Sequence, residues 1–598
     1  MIAIDFELIA RAMQSNPPLL MAKAPCRIET SSVNSSQEST IVENTVLTTP
    51  ADPQTKTLVA LAHHWASLDP KKPFMVFRKA DGERSILTYG ELVQSASAFA
   101  GMIQSRAARS GGTIIVSHET GPNLVCAFLG AMMAGHPPAM MPYPNVKQQD
   151  EIYWESHSKL YDLIQPQLFV LSDKIAESYR KNLGKYAERI IAASEISKVE
   201  PPTLVSPPSG SDVAFLQHSS GTTALKKGVM LTHEAVVDHA RLYADSIGFT
   251  RASTAASWLP LYHDMGLITC FIMPLVMGAT VAMVDPFEWT ARPRLLLEAI
   301  QDERAQYAWM PNFAFAHMCN GVRNPEAFDL SSLRALISCS EPSRPTVQRR
   351  FQAHFAPSGF PSQAAQVCYA MAENVFGVTQ TPPGQAAGSL TVDRTAFEAG
   401  RIAPPSEGPS LEIASCGRVL EGMEVRILRS DRQMAAPEEV GEITIRSSTL
   451  FKGYNRRPDL TEKALVDGWY HSGDLGFMKD DELYVTGRTD DLIIAYGRNF
   501  MAHELEDVIG LADGVRPGRA IAFGVDSDQA GTSEIVVQFE VTEGSNSQDV
   551  ARAVRQHLEA SAGVSPRHII TLPAGGLLKT TSGKISRSAN KAAFLQRN

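Results

Sequence analysis

Residues 213–229, VAFLQHSSGTTALKKGV, carry an apolar stretch directly into a loop of small and hydroxylated residues that ends in two lysines. That pattern suits the holding of phosphate. Small residues let several backbone N–H groups converge on one anion, Ser219, Ser220, Thr222 and Thr223 add hydroxyl donors around Gly221, and Lys226 or Lys227 adds positive charge. The P-loop pattern G-x-x-x-x-G-K-[ST] does not occur, and taken alone the segment also fits an ordinary polar turn. Five further segments follow in order: WLPLYHDMGL (258–267), SCSEP (338–342), YAMAE (369–373), WYHSGDLG (469–476) with TGRTDDLI (486–493), and KTTSGKISR (579–587).

The elements that must position these segments follow from periodicity. From about Thr57, strands and helices alternate: FMVFRK, the helical LTYGELVQSASAFAGMIQSR, TIIVSH, the apolar PNLVCAFLGAMMAG, and LFVLSD. Such alternation predicts parallel α/β layers. Beyond Gly408 the texture changes to VRIL, GEITIRS and ELYVTGR, short antiparallel-looking strands with close turns, as in a small barrel or sandwich. After Arg488 a tail of about 110 residues has helices (503–511, 547–562) and strands (AIAFGV, EIVVQFEV) of its own, enough for a separate small domain. The start, rich in Ser, Thr, Asn and Pro between Asn16 and Gln54, reads as a partly disordered tether. The expected division is therefore 1–56 as an N-terminal extension, 57–488 as a large domain, and 489–598 as a small C-terminal domain.

Composition sets bounds on function. The 598 residues are 44% hydrophobic and 20% charged, as in globular proteins, and a net charge of −9 argues against a general nucleic-acid or anionic-membrane binder. The seven cysteines (Cys26, Cys126, Cys270, Cys319, Cys339, Cys368, Cys416) are scattered and form no C-x-x-C pair, so neither structural disulfides nor a zinc site is expected, which fits a reducing cytosol. Residues 267–284 approach membrane-spanning length, but Pro274 and Gly278 split them, predicting a buried helix and then a buried strand (ATVAMVD). The first residues carry acids before any arginine and so lack the basic start of a secretory signal. A cytoplasmic protein with no membrane span is expected.

Taken together, the six ordered motifs resemble those of the acyl-adenylate-forming superfamily of acyl-CoA synthetases, luciferases and nonribosomal adenylation domains, over roughly Thr57 to the C-terminus. LPLYHDMGL, the S-E-P at Glu341, the context of YAMAE and Gly497-Arg498-Asn499 look most like fatty acyl-AMP ligases. The resemblance implies an α/β fold, with a large domain of layered αβ sheets plus a small β-barrel and then a smaller, mobile α+β domain. It also implies a reaction in which a carboxylate attacks the α-phosphorus of ATP, pyrophosphate leaves and an acyl-AMP remains. The substrates implied are ATP with Mg²⁺, a fatty or other carboxylic acid, and a phosphopantetheinylated acyl carrier protein or CoA as acceptor.

Residue by residue, the resemblance places Ser219 to Thr223 and Lys227 around the β- and γ-phosphates, and Glu373 on the bridging Mg²⁺. Tyr369 would lie against adenine, with the turn of Ser340, Glu341 and Pro342 and the backbone of Ala370, Met371 and Ala372 lining the nucleotide. Asp474 would take the ribose hydroxyls, with Arg488 on ribose or phosphate. Lys584 would bridge the acid and the α-phosphate, Asp490 would be the hinge, and His263 would stand between acid and nucleotide. Apolar residues at 310–318 and 271–277 are the candidates for an acyl tunnel.

Departures bear on the acceptor and on the loop. Ala224 stands where the phosphate loop has a second glycine, Lys226 where it has proline, and His218 where tyrosine commonly precedes the loop. Ala372 replaces the Thr of Y-G-x-T-E found in many CoA ligases, which favours the carrier-protein branch, as does Gly497-Arg498-Asn499. Met501-Ala502-His503-Glu504 and Ala370 depart from that branch. The alternatives are an acyl-CoA ligase sharing the adenylation step and, more remotely, a non-catalytic nucleotide or acyl-adenylate binding protein.

Overall fold

A computed structural model describes residues 55–107, 111–144, 150–198, 208–218, 226–495, 498–527, 532–579 and 585–597. Residues 1–54 of the N-terminal extension, the loop 219–225 expected to hold phosphate, and 580–584 lie outside them.

The alternating pattern folds as expected. FMVFRK becomes the strand Pro73–Arg78, and the following helix Tyr89–Arg106 starts with a capping box in which Thr88 and Glu91 satisfy each other's backbone N–H groups. The apolar helix Pro122–Met133 packs on it so tightly that a Cβ at Gly130 would sit 2.6 Å from Phe99 Cβ and the Ala96 carbonyl. Only glycine permits that approach.

Two large sheets result. One has seven strands in the order Gly453–Tyr454, Gly228–Thr232, Val213–His218, Pro138–Met140, Ile114–Ser117, Leu168–Leu171, Ile190–Ala192, parallel from Val213–His218 onward. The other runs parallel from Pro73–Arg78 through Thr280–Val284, Thr254–Ser257, Tyr307–Met310 and Ala335–Ser338 to Ala365–Ala370. It then turns antiparallel through Gly377–Gln380, Arg418–Val419, Glu482–Arg488, Trp469–Lys479 and Gly441–Ser447 to Met423–Leu428. The short strands past Gly408 thus extend the same hydrogen-bonded sheet. Strand Ala365–Ala370, where parallel gives way to antiparallel, carries the YAMAE motif at its end.

The apolar run 267–284 folds as a buried helix, Asp264–Leu267 continuing through a π-turn at Ile268–Ile272 and Met273–Met277, and then the strand Thr280–Val284. Gly278 at φ 67° ends the helix. No helix among the described residues is long and apolar enough to cross a membrane. Phe271 is fully buried and packs edge-on against Phe74 and Phe128, so residues 271–276 are sealed core, against the expectation that they line a tunnel. On the helix Asn312–Gly321, by contrast, Phe313 and His317 keep some exposure.

From Leu492 the chain builds sheets of its own. Leu492–Ala495 and Arg498–Met501 pair as a hairpin, and Val515–Ser527, Thr532–Val541 and His568–Leu572 form a three-stranded sheet. The helices Ala502–Ile509 and Ser547–Ala562 bury Leu505, Ile509, Val554 and Leu558 with Val537 and Phe539 in a cluster separate from the main core.

Candidate active site

The stretch that leads into the small-residue loop begins as its sequence implies. Val213–His218 is a buried strand paired antiparallel with Gly228–Thr232, His218 opposite Gly228, so residues 219–227 connect two neighbouring strands at one sheet end. Ser219, Ser220, Gly221, Thr222 and Thr223 fall outside the described residues; Lys226 and Lys227 are on the returning limb. Just before the loop, Gln217 donates from Nε2 to the Tyr262 carbonyl at 3.2 Å, tying this strand to the YHDMG segment. His218 is buried with neither ring nitrogen hydrogen-bonded, and burial together with the Lys226 charge pushes its pKa down to about 3, so it is neutral.

Beside Lys227 stands a residue that motif reading passed over. Lys227 Nζ lies 4.9 Å from the ring centroid of Tyr454, and the Tyr454 hydroxyl donates to Glu373 Oε1 at 2.7 Å. Glu373 is 9% exposed, in the short 3₁₀ turn Ala372–Asn374. This turn is held from both sides: the Phe451 N–H donates to the Glu373 carbonyl at 2.8 Å, and Asn374 is pinned by Thr449 and by the Gly377 carbonyl. Val375 closes it at φ 64°, a strained value for a β-branched residue, of the kind that persists where surrounding contacts fix the backbone. Ala370, Met371 and Ala372 lead into this turn from the strand.

Tyr369 hydroxyl donates to Asp474 Oδ2 at 2.6 Å, and Arg488 Nε lies 3.3 Å from Asp474 Oδ1. Asp474 and Arg488 face each other directly across the antiparallel pair Trp469–Lys479 and Glu482–Arg488, which is why a motif spacing of fourteen residues brings them together. Burial raises the Asp474 pKa, and Arg488 and the Tyr369 hydrogen bond oppose that rise. Tyr470 stands close to Tyr454, Glu373 and Tyr369, and the Glu373 charge reaches Asp474, so the two carboxylates share one polar cluster.

The other motif residues surround this cluster or stand apart. His263 precedes the helix Asp264–Leu267, with Nδ1 2.6 Å from Asp264 Oδ1. Ser340 adopts φ 69° and contacts Met265 Sδ through its hydroxyl. Glu341 accepts the Phe313 N–H at 2.5 Å, which anchors the first turn of Asn312–Gly321. Asp490 is exposed, in the 3₁₀ turn Thr489–Asp491 that links the two parts of the chain. Lys584 lies outside the described residues; Lys579 and Ile585, which flank its segment, pair as an antiparallel bridge.

The tail docks on the larger part through three ion pairs. Arg344, two residues past Pro342, pairs with Asp507; Arg394 Nη1 lies 3.3 Å from Glu504 Oε2; and Arg498 donates from Nε and Nη2 to Glu398 Oε2 at 2.8 and 2.6 Å. Arg498 also donates to the Gly563 and Ala562 carbonyls at the end of helix Ser547–Ala562. Burial, with Glu398 and Asp507 nearby, pushes the Glu504 pKa up to about 7 despite Arg394. None of these partners has a sequence signature.

The layered α/β fold thus holds a buried carboxylate, Glu373, and a second, Asp474, paired to Arg488 and Tyr369. The AMP-binding enzyme family matches residues 62–455, so the chain belongs to that family. Among its relatives, the medium-chain-fatty-acid–acyl-carrier-protein ligase JamA of Moorena producens is 29% identical, covering 91% of this chain and 96% of that protein. The long-chain-fatty-acid–AMP ligase FadD32 of Mycolicibacterium smegmatis is 28% identical over 91% of this chain and 95% of its own length. Of solved structures, one from a study of fatty acyl-adenylate ligases of E. coli and L. pneumophila superposes with TM-score 0.85 at 25% identity over 90% of this chain and 98% of that one. A fatty acyl-adenylate ligase from L. pneumophila in complex with acyl adenylate and pyrophosphate gives TM-score 0.70 at 27% identity over 91% and 96%.

Proposed function

We propose that this enzyme activates a fatty or related carboxylic acid with ATP, releasing pyrophosphate and forming acyl-AMP, and then passes the acyl group to the phosphopantetheine thiol of a carrier protein. The supporting observation is the polar cluster in which Lys227, Tyr454 and Glu373 stand near Asp474 and Arg488, because a cation, two carboxylates and aromatic rings are the groups that a nucleotide with its divalent cation calls for.

In this reading the acid's oxygen attacks the α-phosphorus and the bond to pyrophosphate breaks. Residues 219–223 and Lys227 hold the β- and γ-phosphates, and Tyr369 lies against adenine with the backbone at 340–342 and 370–372 around it. Each Asp474 oxygen has lone pairs beyond those used by Tyr369 and Arg488, and these accept the ribose hydroxyls. Lys584 holds the acid's carboxylate against the α-phosphate, countering the repulsion of two anions, and His263 separates the acid from the nucleotide.

Glu373 fits Mg²⁺, which favours one or two carboxylates plus substrate phosphates: only one of its oxygens takes the Tyr454 hydrogen bond, and no group of three or more ligating side chains occurs among the described residues. When bound, the ion supplies neutralisation of phosphate charge. Residues 57–488 and 489–598 act as two units about Asp490, the smaller bringing Lys584 inward for the first step and turning for the second. The proposed place of action is the cytoplasm.

For the acceptor, Ala372 and the name of JamA support a carrier protein, whereas a putative acyl-CoA synthetase of Caulobacter vibrioides at 29% identity supports CoA as the alternative. Mass spectrometry of products from ATP, Mg²⁺ and a panel of fatty acids, with CoA or with a phosphopantetheinylated carrier protein, decides. Acyl-AMP that persists beside CoA and moves to the carrier is expected. Rapid conversion to acyl-CoA would overturn the carrier-protein reading, and no pyrophosphate release with any acid would overturn the catalytic one.

A further inference from the structure

Tyr454 lies between two groups of opposite charge that would otherwise attract one another. On one side its hydroxyl donates to Glu373 Oε1 at 2.7 Å; on the other its ring face receives the Lys227 ammonium at 4.9 Å. Among the described residues Lys227 makes no ion pair, and the Tyr454 ring is its partner. Glu373 likewise forms no salt bridge.

The tyrosine is itself firmly placed. It is 3% exposed, in the two-residue strand Gly453–Tyr454 paired to Val229 and Met230, which follow Lys227 and Gly228 on the returning limb of the phosphate loop. Its N–H donates to Thr461 Oγ1 at 2.9 Å, and its ring packs on Phe451, which in turn packs on Tyr470. Gly453 at φ 134° lets the strand pass Thr461, whose side chain would lie 2.9 Å from any Cβ there.

We propose that Tyr454 is a positioning residue that keeps Lys227 and Glu373 apart and each aimed outward, so that the lysine stays free for phosphate and the carboxylate for the divalent cation. The inference rests on the roles given above to Lys227 and Glu373. Physically, an uncovered lysine and carboxylate on two sides of one ring attract one another toward a direct ion pair, which would neutralise both before a polyphosphate arrives. A phenol prevents this because it satisfies each group with a different part of itself. Its O–H bonds the acid and fixes the carboxylate plane, while its π face holds the cation without consuming hydrogen-bond donors. Donation toward a carboxylate also enriches the ring in electrons, which strengthens the contact with Lys227. No other natural side chain combines an O–H donor with an aromatic face.

Two substitutions separate the two contacts. Tyr454→Phe keeps the ring and removes the bond to Glu373; Tyr454→Leu removes both. Calorimetric titration of ATP without divalent cation reads the Lys227 side, and the Mg²⁺ concentration for half-maximal pyrophosphate exchange reads the Glu373 side. For Tyr454→Phe we expect the Mg²⁺ requirement to rise by about tenfold, the scale of one lost hydrogen bond to a charged group, with cation-free ATP affinity unchanged. For Tyr454→Leu the cation-free affinity should also fall, and the double variant Tyr454→Leu/Glu373→Gln should recover it, because the captured lysine is released. A general loss of packing would not be rescued in this way.

An unchanged Mg²⁺ requirement in Tyr454→Phe, or no recovery in the double variant, overturns the proposal, provided that Lys227→Ala weakens ATP and Glu373→Gln raises the Mg²⁺ requirement. If those two controls behave as wild type, it is instead the assignment of Lys227 and Glu373 that fails.

Discussion

Lys584 and Glu373 illustrate what single residue types can and cannot do at a phosphoryl centre. A carboxylate cannot approach a second anion unaided, and an ammonium on a long flexible stem is the side chain best able to hold two anions together. The role proposed for Lys584 is therefore confined to the reacting atoms, away from the adenine and ribose contacts that carry ATP affinity. Lys584→Ala is expected to slow acid-dependent pyrophosphate exchange by about a hundredfold or more, the scale of losing one preorganised charge at the transition state, while ATP affinity stays within about threefold. Exchange kinetics and calorimetry on the same variant check both halves, and an equal loss of ATP binding would show that its role is misplaced. At this scale the sequence is most legible, because residue types such as Glu373, Asp474 and Arg488 sit in spaced motifs. Tyr454 was not legible, since a tyrosine after a glycine in KGYNRRPD looks like many strand residues until its neighbours are known.

The helix Ala502–Ile509 shows how an element transmits chemistry that its sequence does not announce. Its inward side places Glu504 against Arg394, with Glu398 and Asp507 close by, while half-buried His503 feels the charges of Arg344, Arg587 and Asp491. The Glu504 pKa is raised to about 7, so the packed helix favours the neutral acid; the stability this contributes is full below the ordinary value of 4.5 and is lost as pH rises through about 7. His503 is lowered to about 4, so its contribution is present above the ordinary 6.5 and is lost as pH falls toward 4. The two slopes oppose one another at acidic pH, and a wild-type curve alone would hide both. Glu504→Gln keeps the hydrogen bond to Arg394 and removes one titration. It should be more stable than wild type at pH 8 by on the order of 2 kcal/mol, an advantage that shrinks to nothing by about pH 5. Thermal unfolding of the two proteins across that range tests this, and a pH-independent difference would refute it.

For the whole molecule, the question is what holds the tail in the observed orientation. The C-terminal part has apolar clusters of its own, so its attachment depends on the linker at Thr489–Asp491 and on the ion pairs of Arg344, Arg394 and Arg498. Arg498 joins the two parts most directly. It is bonded to Glu398, which is only 6% exposed, and to the end of the helix Ser547–Ala562. Removing the arginine leaves that carboxylate buried without its cation, at a cost of about 2 kcal/mol for a pair that is partly open to solvent. Arg498→Ala should accordingly speed proteolytic cleavage near Asp490 and enlarge the radius of gyration by small-angle scattering, with Arg498→Ala/Glu398→Gln recovering part of the loss. Unchanged cleavage would mean that the tail is held by something other than these pairs.

By itself the sequence determined the layered α/β plan, the buried helix and strand within 267–284, and the order of motifs that carries the family. Each of these follows from local periodicity or from short-range spacing, which a linear chain displays directly. The tertiary structure decided which of the singled-out residues meet. Asp474 faces Arg488 because a hairpin register puts them opposite one another; Glu373 reaches Lys227 only through Tyr454, eighty-one positions further along the chain. It also decided that Phe271 is sealed core, since the sequence of a buried helix does not say whether its apolar face meets protein or ligand. Long-range pairing and the filling of space by distant side chains have no local signature, so such contacts exist only once the chain has closed on itself.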